Sequence, residues 1–226
     1  MKAFIRKRPP FRPGRKTPPE GSPIRNRLHK KIALILSVAV LLPVFLSSCI
    51  VLYRDFPTET IGKPPESKSY DLLSYHINPF PFPSEGGRDA LHSVFDNQTP
   101  FANTADVTEM PSKGVFCLVD VEWKSPDTAA LAFHYLSVAT LTILPSWNVQ
   151  ESYKVRYYLY IDGEKRKMFE YKITRKTGLW LGLLPISWLN WFSYSQADAF
   201  EATAFQFFQD AKPILLTLAP HERIVE

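Results

Sequence analysis

Cysteine is almost absent from this chain, with two residues in 226, Cys49 and Cys117. That excludes a disulfide framework or a cysteine-ligated zinc site, both of which need several cysteines at suitable spacing. Cys117, inside Val115-Phe116-Cys117-Leu118-Val119, reads as a small buried hydrophobe. Glycine is scarce too: nine residues, too scattered to cradle a phosphate. Nucleophile-elbow, phosphate-loop, HExxH and dinucleotide fingerprints are all missing. His76, His92, His134 and His221 are singletons with no i, i+4 partner and no cysteine nearby, so no metal or cofactor is expected.

Positive charge is lacking over most of the length. The chain carries 27 Lys/Arg and 22 Asp/Glu, a net +5. Residues 1–31 hold eleven of those bases and one acid, Glu20, which leaves 16 basic and 21 acidic residues, a net −5, in the rest. The apparent basicity belongs to the leading segment alone, and a nucleic-acid-binding reading fails. Ile32 to Ser48 is uncharged and apolar, with Pro43 just before the small residues Ser47 and Ser48. A basic segment, an apolar run and small residues before a cleavage point make up a secretory signal.

The order Leu46-Ser47-Ser48-Cys49 resembles the lipobox of bacterial lipoproteins. The resemblance implies cleavage before Cys49, a diacylglycerol on its thiol and a further acyl chain, palmitate for example, on its amino group. Residues 1–48 are then a signal peptide, and 49–68 form a lipidated cysteine and flexible tether containing Pro57, Pro64 and Pro65. Residues 69–226 form one domain. The basic region is long and holds six prolines, so 1–27 reads as an extension ahead of a true start at Leu28. The alternative is an uncleaved single-pass anchor: Ile32 to Tyr53 is 22 uncharged residues, enough for a bilayer core of about 30 Å. Pro43 in mid-span and the lipobox-like order favour cleavage. Ile50 stands where many inner-membrane lipoproteins carry aspartate, so the resemblance implies the outer membrane, with inner-membrane anchoring as the alternative.

Alternation predicts a strand over 69–77, with Leu73, Tyr75 and Ile77 on one face. Gly86-Gly87 opens a short helix near 88–95 carrying Leu91, Val94 and Phe95. Residues 114–123 read as a buried strand. Asp127 is a candidate N-cap for a helix over 128–138, with Leu131, Tyr135 and Val138 on one face. Residues 140–144 continue as strand or helix. The odd positions from Tyr153 to Ile161 are apolar, as are Phe169, Tyr171 and Ile173 in the segment 165–176. Asp162-Gly163 marks the hairpin between them. Matching the two apolar faces predicts a three-residue loop, Ile161-Asp162-Gly163, with a glycine bulge that sets Val155 against Phe169 and Tyr153 against Tyr171. A last helix over 196–212 presents Phe200, Ala204, Phe207 and Ala211 and stops at Pro213. These elements predict an α+β fold, a largely antiparallel sheet with two or three helices packed on one face.

Two features bear on function. Asp120 and Glu122 share a strand face and could serve an envelope hydrolase as a general acid/base pair. The ordinary reading is a solvated sheet face with Lys154 and Arg156 across from them. The segment 178–194 carries Trp180, Trp188 and Trp191, which suit membrane contact, contact with a protein partner, or closure of the core. Residues 112–212 also resemble, in texture, a group of uncharacterised bacterial envelope lipoproteins. The shared cues are a strand running into a helix, Ser137-Val138-Ala139-Thr140-Leu141-Thr142-Ile143-Leu144-Pro145, a Tyr-rich strand, the Asp-Gly hairpin and Gly182-Leu183-Leu184-Pro185. Together they lead to an expected lipid-anchored envelope protein with a partner-binding or assembly role, attached to the membrane through acylated Cys49.

Overall fold

The computed structural model describes residues 49–65, 69–80 and 85–217. The expected signal peptide, with Leu46, Ser47 and Ser48, lies outside the described residues. Six strands are described: β1 Cys49–Arg54, β2 Tyr70–Ile77, β3 Phe101–Asp106, β4 Val115–Lys124, β5 Ser146–Ile161 and β6 Glu164–Leu179. With them run three helices, α1 Glu85–Asn97, α2 Thr128–Ala139 and α3 Gln196–Leu215, and a 3-10 segment, Leu181–Phe192. The strands make one sheet in the order β1-β6-β5-β4-β2-β3. Pairings β1–β6, β6–β5 and β5–β4 are antiparallel, while β2 is parallel to both β3 and β4. The architecture is α+β with helices packed against a mostly antiparallel sheet, as predicted.

Strand β3 is the element the sequence hides, because Phe101-Ala-Asn-Thr-Ala-Asp has no apolar alternation. It is held as the edge of a β2-α1-β3 unit, with Leu72 opposite Asn103 and Tyr75 opposite Asp106. Parallel neighbours normally need a long crossover. Here residues 107–114 join β3 and β4 across β2, which pairs with β3 over Tyr70–Tyr75 and with β4 over Leu73–Ile77.

The core forms where alternation buries one sheet face under α1 and α3. Leu73, Tyr75 and Ile77 of β2, Val115, Cys117 and Val119 of β4, and Tyr153, Val155, Tyr157 and Leu159 of β5 are all buried there. The predicted stripe of α3, Phe200, Ala204, Phe207 and Ala211, meets them. Phe207 stacks on Tyr157 at 4.7 Å between centroids, and the Tyr157 hydroxyl pairs with Thr203 Oγ1 at 2.8 Å. Gly87 lets α1 approach α3, since a Cβ there would come within 2.6 Å of the Phe200 ring. A capping box starts α3: Ser195 Oγ accepts from the Asp198 N–H, and Asp198 accepts from the Ser195 N–H.

Three local expectations need correction. The hairpin turn has two residues, Asp162 and Gly163, both at positive φ (52° and 77°), and is closed by Ile161 opposite Glu164. The extra residue sits further along, at Arg166, between the pairs Tyr160–Lys165 and Leu159–Lys167. This bulge sets Val155 against Tyr171 and Tyr157 against Phe169, which still unites the two apolar faces. Helix α3 runs on past Pro213 to Leu215. A proline in the last turn removes only one late hydrogen bond, and burial of Leu215 holds that turn on the core.

The tether is the third correction. Cys49–Arg54 is a sheet strand, with Cys49 opposite Leu179 and Arg54 opposite Thr174. Behind it, Thr60 is buried and its hydroxyl donates to the Ala202 carbonyl at 2.8 Å. Most of the segment read as flexible spacer is therefore part of the domain. Its apolar run Ile50-Val51-Leu52-Tyr53 pairs as well in a sheet as in a leader, which is why the boundary was misplaced.

Candidate functional site

The hairpin of β5 and β6 is longer than its neighbour β4, which ends opposite Ser152. Residues 146–151 and 174–179 therefore extend past β4. There β1 joins as the outer strand. Cys49 lies at this end of the sheet, half-buried on β1, and burial pushes its thiol above the ordinary range against the lowering pull of Arg175. The 3-10 segment closes the outer edge of β1. Asn190 Nδ2 donates to the Cys49 carbonyl at 2.6 Å, and Asn190 Oδ1 accepts from the Val51 N–H at 3.2 Å. Ser193 Oγ donates to the Val51 carbonyl at 3.3 Å. One side-chain amide thus fills the place of a further strand, satisfying edge groups that would otherwise recruit another chain.

A polar knot sits beneath this end. Glu151 is buried and accepts from Arg175 Nη1 at 2.9 Å, from Trp123 Nε1 at 3.3 Å and from Asn148 Nδ2 at 3.4 Å. Burial, with the Glu151 charge close by, pushes the Tyr153 phenol up to about 12. These groups brace the extension, a structural role.

Helix α2 packs against the start of β5 at the same end and contributes no side chain to the core cluster. Its N-cap is as predicted, Asp127 accepting from the Ala130 N–H at 2.6 Å. The expected inward face is not: Leu131, Tyr135 and Val138 are exposed, and Phe133 is 61% exposed on the opposite side. The helix is apolar nearly all round, so no stripe was there to read. Only Ser137 is buried in it, its hydroxyl near the Leu144 carbonyl at 2.7 Å and the Leu179 carbonyl at 3.4 Å. Residues 140–144 are neither strand nor helix but a turn with Leu141 and Thr142 at positive φ. The Thr142 carbonyl accepts from the Leu181 N–H at 2.7 Å, tying α2's exit to the tryptophan-rich segment.

The three predicted tryptophans gather here without closing the core. Trp180 and Trp188 are exposed and Trp191 is 87% exposed, with Phe192 beside Trp188 at 5.9 Å. Trp147, unremarked in the sequence, joins them, its ring packed over Gly178. Among the described residues 21 large hydrophobic side chains are exposed, and 17 of them fall in the stretches 128–150 and 177–197. Neither stretch contains an Asp, Glu, Lys or Arg. That double gap in charge was the signal that would have found this surface in the sequence.

The acid pair leads elsewhere. Asp120 faces Arg156 across the β4–β5 pair and Glu122 faces Lys154, as predicted. The Arg156 guanidinium is shared by Glu122 at 2.5 Å, Glu170 at 2.9 Å and Asp120 at 3.8 Å, on the open sheet face. Asn78 Nδ2 also donates to Asp120 at 3.1 Å. The described histidines have other partners: His76, opposite Leu118 on the same sheet face, meets Asp106, His92 meets Tyr75, and His134 is exposed on α2. The Tyr75 hydroxyl donates to Asp96 at 2.5 Å, and burial together with that bond keeps the phenol protonated. A cavity of about 600 Å³ beside the end of α3 is lined by Tyr70, Phe205 and Phe208, with Lys63 and Lys212 and no acid or histidine among the described lining residues.

Fold and surface together define a small α+β domain whose strand-borne cysteine lies at an apolar, tryptophan-rich end. No family model and no curated protein matches the chain. Solved structures similar to it include a minor lipoprotein from Acinetobacter baumannii, at 10% identity and a TM-score of 0.33, covering 65% of this chain and 93% of that one. A Xanthomonas campestris protein described by the DUF330 family model shares 14% identity at a TM-score of 0.33, covering 69% and 87%. A PelC dodecamer variant from Paraburkholderia phytofirmans shares 10% identity at a TM-score of 0.25, covering 68% and 92%. At that level of similarity the three neighbours assign neither family nor function to this chain.

Proposed function

We propose that this chain is a lipid-anchored protein of the bacterial envelope, acylated at Cys49 after removal of residues 1–48, with a binding or assembly role rather than a catalytic one. The observation that carries the reading is the order of residues 1–49: bases, an uncharged apolar run, then Leu46-Ser47-Ser48-Cys49. Two or more acyl chains hold a protein stably to a membrane where one is marginal, because each buried CH₂ contributes about 0.8 kcal/mol. Support for a structural role of the acid pair comes from the Arg156 guanidinium, which engages both the Asp120 and Glu122 carboxylates. By the lipobox resemblance, Ile50 at the position where many inner-membrane lipoproteins carry aspartate supports an outer-membrane location.

Mass spectrometry of the membrane-purified protein, with metabolic palmitate labelling of wild type against Cys49→Ala, tests the anchor. The expected result is a chain beginning at an acylated Cys49, with label lost in the variant. An intact leader on the membrane form overturns it in favour of the uncleaved span. Crosslinking and pull-down from isolated envelopes then address the partner.

A further inference from the structure

The exposed apolar surface at this end asks for an occupant. A soluble surface rarely leaves a large contiguous apolar patch open, and this one combines α2, the turn after it, Trp147 and the 3-10 segment 181–192. We propose that this end lies in the interfacial layer of the lipid bilayer, so that the domain rests on the membrane through its own side chains as well as through Cys49. The inference rests on the anchor reading for the position of the acyl chains, and names what that anchor brings the surface against.

Three observations favour lipid over a protein partner. Four of the five tryptophans, Trp147, Trp180, Trp188 and Trp191, are exposed in this one region, and indoles prefer the membrane–water boundary. Asp, Glu, Lys and Arg are missing from both stretches and resume outside them, at Lys124, Asp127, Glu151, Lys176 and Asp198. A protein interface keeps a polar rim and hydrogen-bonding groups within reach of its centre, whereas the acyl boundary rewards their removal. Continuity is the third: the Asn190 amide joins the 3-10 segment to the Cys49 carbonyl, so the residue that would carry the lipid adjoins the patch. The mode is lying on the membrane, not crossing it. Helix α2 has 12 residues, about 18 Å at 1.5 Å each, against the roughly 20 residues needed to span. No helix among the described residues is long and apolar enough to cross.

The test uses the full chain purified from membranes and returned to phosphatidylcholine vesicles whose acyl chains carry bromine. Trp123→Phe removes the one tryptophan outside the region, and intact mass on the same sample reports acylation. Strong quenching of the remaining emission by bromine near the headgroup is expected. Phe133→Asp with Trp191→Asp, both at exposed positions that leave the fold unchanged by circular dichroism, should lose most of that quenching while the acylated protein stays on the vesicle. An acylated chain with unquenched, water-exposed tryptophans overturns the docking and leaves the anchor standing. Quenching without acylation retains the docking and removes the anchor. Tryptophans shielded from both bromine and water, with crosslinks between copies at Trp191→Cys, overturn the proposal in favour of self-association.

Discussion

Asn190→Leu isolates the contact by which the tryptophan-rich segment holds the anchor strand. Leucine keeps the volume and removes both polar atoms, so the Val51 N–H and the Cys49 carbonyl lose their partners while β1 keeps its pairing with β6. A net contribution of about 0.5–1.5 kcal/mol per hydrogen bond gives about 1–3 kcal/mol for the two. At about 1.4 kcal/mol per factor of ten, the Val51 amide should exchange about 5- to 150-fold faster. Leu52, opposite Lys176, is the internal reference, because its N–H faces β6 and not Asn190. Amide exchange read by NMR on the purified full chain in detergent measures both positions in one experiment. A Val51 rate left unchanged by the substitution would refute the idea that Asn190 acts as the missing strand. A parallel rise at both would mean that the whole of β1 detaches, and that Asn190 carries more of its attachment than two bonds imply.

Other outcomes follow from the interior. Arg175→Met should destabilise the protein by about 3–5 kcal/mol in urea titration, because it leaves the buried Glu151 carboxylate uncompensated; adding Glu151→Gln should restore much of the loss. Gly87→Ala forces a methyl against the Phe200 ring and should cost about 1–3 kcal/mol by the same measurement. In a Cys49→Ala chain, Cys117 is the remaining thiol, and burial raises its pKa well above the ordinary value. Thiolate is the reactive form, so labelling by a thiol reagent at pH 8 should wait on unfolding. Because the folded state holds that proton longer than the unfolded chain, this group's stabilising contribution is complete below about pH 8.5 and is lost as pH rises further. Denaturant midpoints from pH 8 to 10, compared with Cys117→Ala, check the sign.

What could be read in advance was whatever repeats along one element. The period of two in Tyr153-Val155-Tyr157 and the stripe Phe200-Ala204-Phe207-Ala211 each point at one core, and both lie in it. The hairpin register was half legible: matching apolar faces fixes its parity, but parity cannot place the extra residue, which fell at Arg166. Strand β3 has no pattern because its stability comes from a neighbour far along the chain. The surface around Cys49 was the hardest to see. Hydrophobic residues are ordinarily assigned to the interior, so Leu131 and Tyr135 were placed there, and only the coordinates separate an apolar helix that is buried from one that is not. The tether failed for a related reason, since its residues suit a sheet as well as a leader.

The pairing of Cys49 with Leu179 leaves no slack between attachment point and domain. A lipid on a flexible leash fixes only a distance, whereas a lipid on a sheet strand fixes an attitude. The β5–β6 hairpin begins at that end and runs 16 residues outward. At about 3.3 Å per residue, an upright strand of that length reaches about 50 Å. With the proposed lipid on Cys49, its tip, where Glu164, Lys165, Arg166 and Lys167 crowd behind the Asp162-Gly163 turn, would stand at a set height above the surface that holds the lipid.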